Sequence, residues 1–165
     1  MHTLQLSYKE ADQPSANQAT KDRPWIVVTM IDPIDLSKPP PFIQAHIRNV
    51  GKEMAFDVIS IGQANGQFTS RALPEPYGNF DPESGGANSS RSILGPGQGE
   101  IMQIPLLSLS PEQVSDLLGN RVTIYAFGRV KYRDSGNNWH ELRFCSYYQP
   151  AASVWALCSG YNDAS

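Results

Sequence analysis

The chain has 165 residues, 40% of them apolar and 18% charged, with a formal net charge of -3. A chain of this length buries about 70% of its unfolded surface, which suits one domain rather than two. The composition excludes a largely disordered chain, and the mild negative charge argues against a dedicated nucleic-acid binder. Thirteen glycines and thirteen prolines favour strands and turns over helical bundles.

No apolar run approaches the roughly 20 residues that span a bilayer as a helix. The start has no basic stretch followed by an apolar one, so it does not read as a signal peptide. Residues 1–23 are polar and read as a flexible lead or linker, and 24–165 as a single β-sandwich domain. Trp25–Ile31 is β-branched and apolar, which predicts a strand buried on both faces or at a sheet centre. Lys38-Pro39-Pro40-Pro41 reads as a stiff extended connection. Phe42–Asn49 alternates, with Ile43, Ala45 and Ile47 inward and Gln44, His46 and Arg48 outward. After a turn at Asn49-Val50-Gly51-Lys52, Met54–Ile61 predicts a third strand, with Phe56 and Val58 on one face and Ile59 and Ile61 on the other. Residues 62–90 read as a long irregular loop with a weak strand at Gln67–Leu73. Loops of that length are mobile or functional.

Arg91–Leu94 and Gly99–Leu106 predict two further strands around Gly95-Pro96-Gly97. Residues 110–118 then carry the one convincing helix. Ser110 is its N-cap, Pro111 its first residue and Gln113 completes a capping box. Val114, Leu117 and Leu118 form its apolar stripe, and Gly119 is the expected left-handed stop. Arg121–Tyr148 predicts a long hairpin. Val122, Ile124, Ala126, Gly128, Val130 and Tyr132 share one face of its first strand, and His140, Leu142, Phe144 and Ser146 one face of its second. A three-residue loop at Asp134-Ser135-Gly136, with Gly136 left-handed, opposes Arg129 to Glu141, Lys131 to Trp139 and Phe127 to Arg143. A longer loop, of the same parity, would set Arg129 against Arg143, and is disfavoured on charge. Val154–Cys158 closes the list. About eight short strands and one helix predict a mostly β fold, an immunoglobulin-like antiparallel β-sandwich.

Cys145 and Cys158 have twelve residues between them and face each other if the chain folds back around Pro150-Ala151-Ala152-Ser153. The pairing predicts a disulfide and an oxidising compartment; two buried thiols are the alternative and would fit the cytoplasm. His2, His46 and His140 are scattered, which leaves no metal set. No nucleophile elbow, phosphate loop or zinc-protease motif occurs, and Asp134 with Glu141 beside a hairpin tip reads as solvated. No catalytic residue, cofactor or metal is therefore expected. Tyr125, Phe127, Trp139 and Tyr147 fall on the outer face of the hairpin and suggest a carbohydrate-binding surface, unless another segment or subunit covers them. Asn88-Ser89-Ser90 matches a glycosylation sequon.

Several segments resemble one family. They are Arg23-Pro24-Trp25-Ile26, Ile47–Lys52, Ala55–Val58, the run Tyr125–Asp134, His140, Phe144-Cys145, Cys158 and Tyr161-Asn162. Across about residues 23–163 the chain resembles uncharacterised bacterial proteins with membrane helices ahead of an immunoglobulin-like domain. That resemblance implies an extracytoplasmic or membrane-associated module with a tether upstream, and it carries no catalytic residues. The expected function is a non-catalytic interaction or structural module of the bacterial envelope, acting by protein contact or self-association through strand edges. A glycan-binding module is the second reading, and a hydrolase with a site in the 62–90 loop the third.

Overall fold

The computed structural model describes residues 22–31, 34–35, 42–68, 91–106 and 109–165. Most of the expected N-terminal lead, the proline-rich connection, the sequon and residues 69–90 lie outside them. Among the described residues, nine strands and one helix follow in order: β1 (Ile26–Ile31), β2 (Phe42–Asn49), β3 (Ala55–Phe68), β4 (Ser92–Leu94), β5 (Gly99–Pro105), α1 (Pro111–Leu118), β6 (Val122–Arg133), β7 (Trp139–Gln149), β8 (Val154–Leu157) and β9 (Asp163–Ala164). They form two antiparallel sheets. The smaller runs β1-β2-β5; the larger runs β4-β3-β6-β7-β8, with β9 paired to β7 beside β8. β5 lies over β3, and β1 lies over β7.

The core follows the period-2 pattern. Ile43, Ala45 and Ile47 of β2 and Met102 and Ile104 of β5 face Ile124, Ala126, Val130 and Tyr132 of β6 and Phe144 and Tyr148 of β7. Ile47, Ile104, Ile124 and Val130 are fully buried, and each such side chain contributes about 1.5–3 kcal/mol of burial.

β1 departs from its expected place. It is an edge strand, not a central one: Ile26 is buried, Val28 and Met30 pack half-buried on the core, and Thr29 is exposed. β-branched content alone does not distinguish an edge from a centre.

β3 departs twice. It runs through Gly62 and Gly66 to Phe68, so the loop expected from residue 62 begins beyond 68. A glycine reads as a break, but here Gly62 makes room for Ile104 of the opposite sheet, whose Cγ1 would lie 2.7 Å from an added Cβ. At the other end Asp57 has φ 47° and the register shifts against both β4 and β6. This bulge puts Phe56 opposite Arg133 on the outer face and Val58 in the core, so the two do not share a face.

α1 starts as expected. Gln113 N donates to Ser110 Oγ (3.2 Å) and Ser110 N to Gln113 Oε1 (2.8 Å). Its end is shifted by one residue. Gly119 stays right-handed and Asn120 takes the left-handed position at φ 56°. Arg121 N then bonds Asp116 O (2.8 Å) and Asn120 N bonds Leu117 O (3.1 Å), the pair of bonds of a Schellman stop. Only Leu117 of the apolar stripe is buried; Leu118 is 59% exposed.

The β6–β7 hairpin keeps its expected faces but not its expected register. Arg129 opposes Arg143, Lys131 opposes Glu141 and Phe127 opposes Cys145. The left-handed residue is Asn137 (φ 66°), not Gly136. Two local causes set this register. Asp134 Oδ1 accepts from Asn138 N (2.8 Å) while Asp134 N donates to Asn138 O (3.0 Å), closing the turn one residue later. Glu141 relieves the arginine pair, accepting from Arg143 Nε at 2.9 Å and standing 3.9 Å from Arg129 Nε.

Candidate interaction surfaces

The C-terminal edge of the larger sheet is built by a disulfide. Cys145 and Cys158 are bonded, their Cα atoms 5.4 Å apart, and Cys158 N donates to Cys145 O. Ser153 takes φ 54° in the turn and allows β8 to lie back along β7. Trp155 packs on the core, its ring centroid 5.3 Å from that of Tyr148 with the planes inclined at 55°. Leu157 points to the same side but is 69% exposed, because the five-strand path overhangs the three-stranded sheet at β8. Val154 is exposed on the other face. Among the described residues no strand pairs with the outer side of β8.

Two other edges, β4 and β5, carry features that discourage pairing. β4 is three residues long. β5 contains Glu100 and ends at Pro105. β1 borders a groove of about 370 Å³ lined by Trp25–Val28, Leu142–Phe144 and Asn162–Ala164. β8, like β1, has no charge, no proline and no bulge, and it carries the exposed Leu157.

The four aromatics of the outer face do not form one patch. Phe127 is buried with Cys145 and Cys158, and Tyr125, Tyr147 and Tyr161 pack half-buried over them. Trp139 lies eight residues along β7 from Tyr147, about 26 Å away at strand rise. The rows Arg129–Arg143 and Lys131–Glu141 intervene. Trp139 instead lies under Arg133, whose guanidinium carbon is 5.6 Å from the ring centroid.

At the hairpin tip, Asp134 is not a solvated carboxylate. His140 Nε2 is 2.9 Å from Asp134 Oδ2, and His140 Nδ1 lies 3.4 Å from Arg23 Nη1 and 3.3 Å from Ser165 O. Partial burial works to raise the Asp134 pKa, but hydrogen bonds from His140 and Asn138 outweigh it and hold the carboxyl down at about 2. The His140 ring stacks on Tyr132 at 5.3 Å, and burial pushes the Tyr132 phenol above its usual value. Both imidazole nitrogens are engaged, so this cluster joins the hairpin to Arg23 and Ser165 rather than presenting a base. His46 is exposed on β2, and no group of three metal-ligating side chains occurs among the described residues.

Sequence reading gives Asn49 as a structural turn residue but not its long-range partners, and assigns no role to the Asn162 side chain. Asn49 is fully buried and uses its whole amide: Oδ1 accepts from Trp25 N (3.1 Å) and Gly51 N (3.0 Å), and Nδ2 donates to Glu53 O (2.7 Å) and Leu94 O (2.9 Å). Asn162, itself exposed, bonds backbone groups at the disulfide edge. An asparagine before a glycine-containing turn announces a turn, not a buried junction.

No family model, curated protein or solved structure matches this chain.

Proposed function

We propose that the chain is a non-catalytic interaction module that associates with a second copy of itself along β8. The observation that carries this reading is the uncharged edge Val154-Trp155-Ala156-Leu157, with Val154 47% and Leu157 69% exposed. An antiparallel pairing centred on Ala156 is self-complementary: Leu157 of each copy falls opposite Trp155 of the other, on the same face. The overhanging leucine would then be covered.

The module belongs, in this reading, to an extracytoplasmic part of a bacterial envelope protein. The Cys145–Cys158 disulfide favours an oxidising compartment. Among the described residues no helix is long and apolar enough to cross a membrane, so a tether would lie elsewhere. An immunoglobulin-like connectivity is supported by strand order. Constant-type domains place strands A, B and E in one sheet and C, F and G in the other. β1, β2 and β5 stand in the first set of places and β3, β6 and β7 in the second, while β4 sits beside β3 instead of beside β5.

Sedimentation equilibrium over a concentration series tests the association. A reversible dimer that Leu157→Lys abolishes, with circular dichroism and the disulfide unchanged, is the expected result. A monomer throughout the series, or a dimer indifferent to Leu157→Lys and Val154→Lys, refutes it.

A further inference from the structure

The outer face of the larger sheet divides into two halves of different chemistry. Toward the hairpin tip it is charged, with Arg129, Lys131, Arg133, Glu141 and Arg143. Toward the disulfide it is neutral. There one row across four strands reads Asn65, Tyr125, Tyr147 and Ala156, and the next reads Gln63, Phe127, Cys145 and Cys158. Asn65 and Gln63 are exposed, while the tyrosines are half-buried on a firm floor of Phe127 and the disulfide. The Tyr125 and Tyr147 ring centroids are 6.2 Å apart with planes inclined at 46°. Gln149 Nε2 donates to Tyr147 Oη at 3.1 Å and fixes that hydroxyl. Tyr161, which packs on the same floor, has φ 64°, a conformation costly for a bulky side chain and held where the surroundings enforce it.

From this row we infer a binding site for an uncharged oligosaccharide. Aromatic faces take the C–H side of a pyranose ring, and carboxamides and phenols match its hydroxyls as both donors and acceptors. The absence of charge in both rows disfavours phosphate, acidic peptide and lipid headgroups. The row spans about 14 Å at ordinary strand spacing, the length of a short run of sugar units. Ala156 leaves its far end low, whereas Trp139, at the charged end, plays no part. The row ends at Ala156 of β8, but it uses the outer face and not the backbone edge, so it does not rest on the association proposed above.

The test is affinity electrophoresis and calorimetry of the full chain against a panel of uncharged β- and α-linked oligosaccharides. At least one should bind. Asn65→Ala, which removes an exposed side chain, and Tyr125→Ala should each weaken binding by roughly tenfold, the loss of one stacking or hydrogen-bonding partner. Trp139→Ala should leave it unchanged. Near-ultraviolet circular dichroism checks the fold of each variant. No binding across the panel, or binding insensitive to Asn65→Ala, overturns the site. So does binding confined to anionic glycans, which would point to the arginine rows.

Discussion

The Asn162 side chain stands in for a rung of backbone beside Cys145. Its Oδ1 accepts from Cys145 N at 2.9 Å, and its Nδ2 donates to Cys158 O at 3.1 Å and Gly160 O at 3.2 Å. Cys145 is 1% exposed with this side chain in place, but Asn162 itself is exposed, so water takes over part of what the carboxamide supplies. Asn162→Ala should cost about 0.5–1.5 kcal/mol, the net worth of a hydrogen bond exchanged for water. It should also open the edge around the disulfide. The measurement is a urea midpoint together with the rate of reduction by dithiothreitol in native buffer. A variant as stable and as slow to reduce as the parent would contradict this.

Asn49 presents the same logic with more partners. Four hydrogen bonds to four backbone groups pass through one carboxamide that is wholly out of water. Asn49→Ala should destabilise the chain by about 3 kcal/mol or more, and Asn49→Asp should not rescue it, because both donated bonds are lost and a charge is buried. Chemical denaturation of both variants measures this.

Gly128 is fixed by closeness, not by backbone angle. A Cβ there would meet Phe144 Cε1 and Cζ at 2.7 Å and collide with Ile61 O. Gly128→Ala should therefore cost about 1–3 kcal/mol by overpacking. Relief by Phe144→Leu in the double variant would identify the ring as the obstacle. Additive losses of Gly128→Ala and Phe144→Leu in the double variant would place the clash at the carbonyl.

Asp134 gives the acid response its sign. Its folded pKa, about 2, lies below the ordinary value of 3.8. The unfolded chain thus binds the proton more readily, and stability from this group is fully present above the ordinary value. It is lost as pH falls toward 2. Asp134→Asn should be less stable than the parent at neutral pH, and the gap should narrow between about pH 4 and pH 2. Urea midpoints at those pH values report it. A gap independent of pH would mean that the carboxylate is not the source.

What the sequence made legible was whatever obeys a local period. The inward residues of β2, β5, β6 and β7 were readable because alternation survives any even shift of register. The candidate disulfide was readable for the same reason, since Cys145 and Cys158 share a parity about the Pro150–Ser153 turn. Features that depend on one side chain capturing a distant backbone group were not. The hairpin register was settled by Asp134 reaching Asn138 and by Glu141 sitting between two arginines, against a rule that like charges avoid each other. The bulge at Asp57 reversed a face because one residue dropped out of the ladder. The edge position of β1 follows from the unequal widths of the two sheets, which no single segment encodes. In the candidate sites, aromatic content was visible early. The separation of Trp139 from Tyr125 and Tyr147 needed the register.

The junction at Asn49 also bears on how the chain reaches its native state. Its partners Trp25 and Leu94 are 24 and 45 residues away in sequence, so the carboxamide is satisfied only after β1, the β2–β3 turn and β4 have all arrived. Such a contact carries a large loop-closure cost and contributes late. It acts as a latch on the unfolding side of the barrier. In stopped-flow traces, removing it should leave the refolding arm nearly in place and raise the unfolding arm.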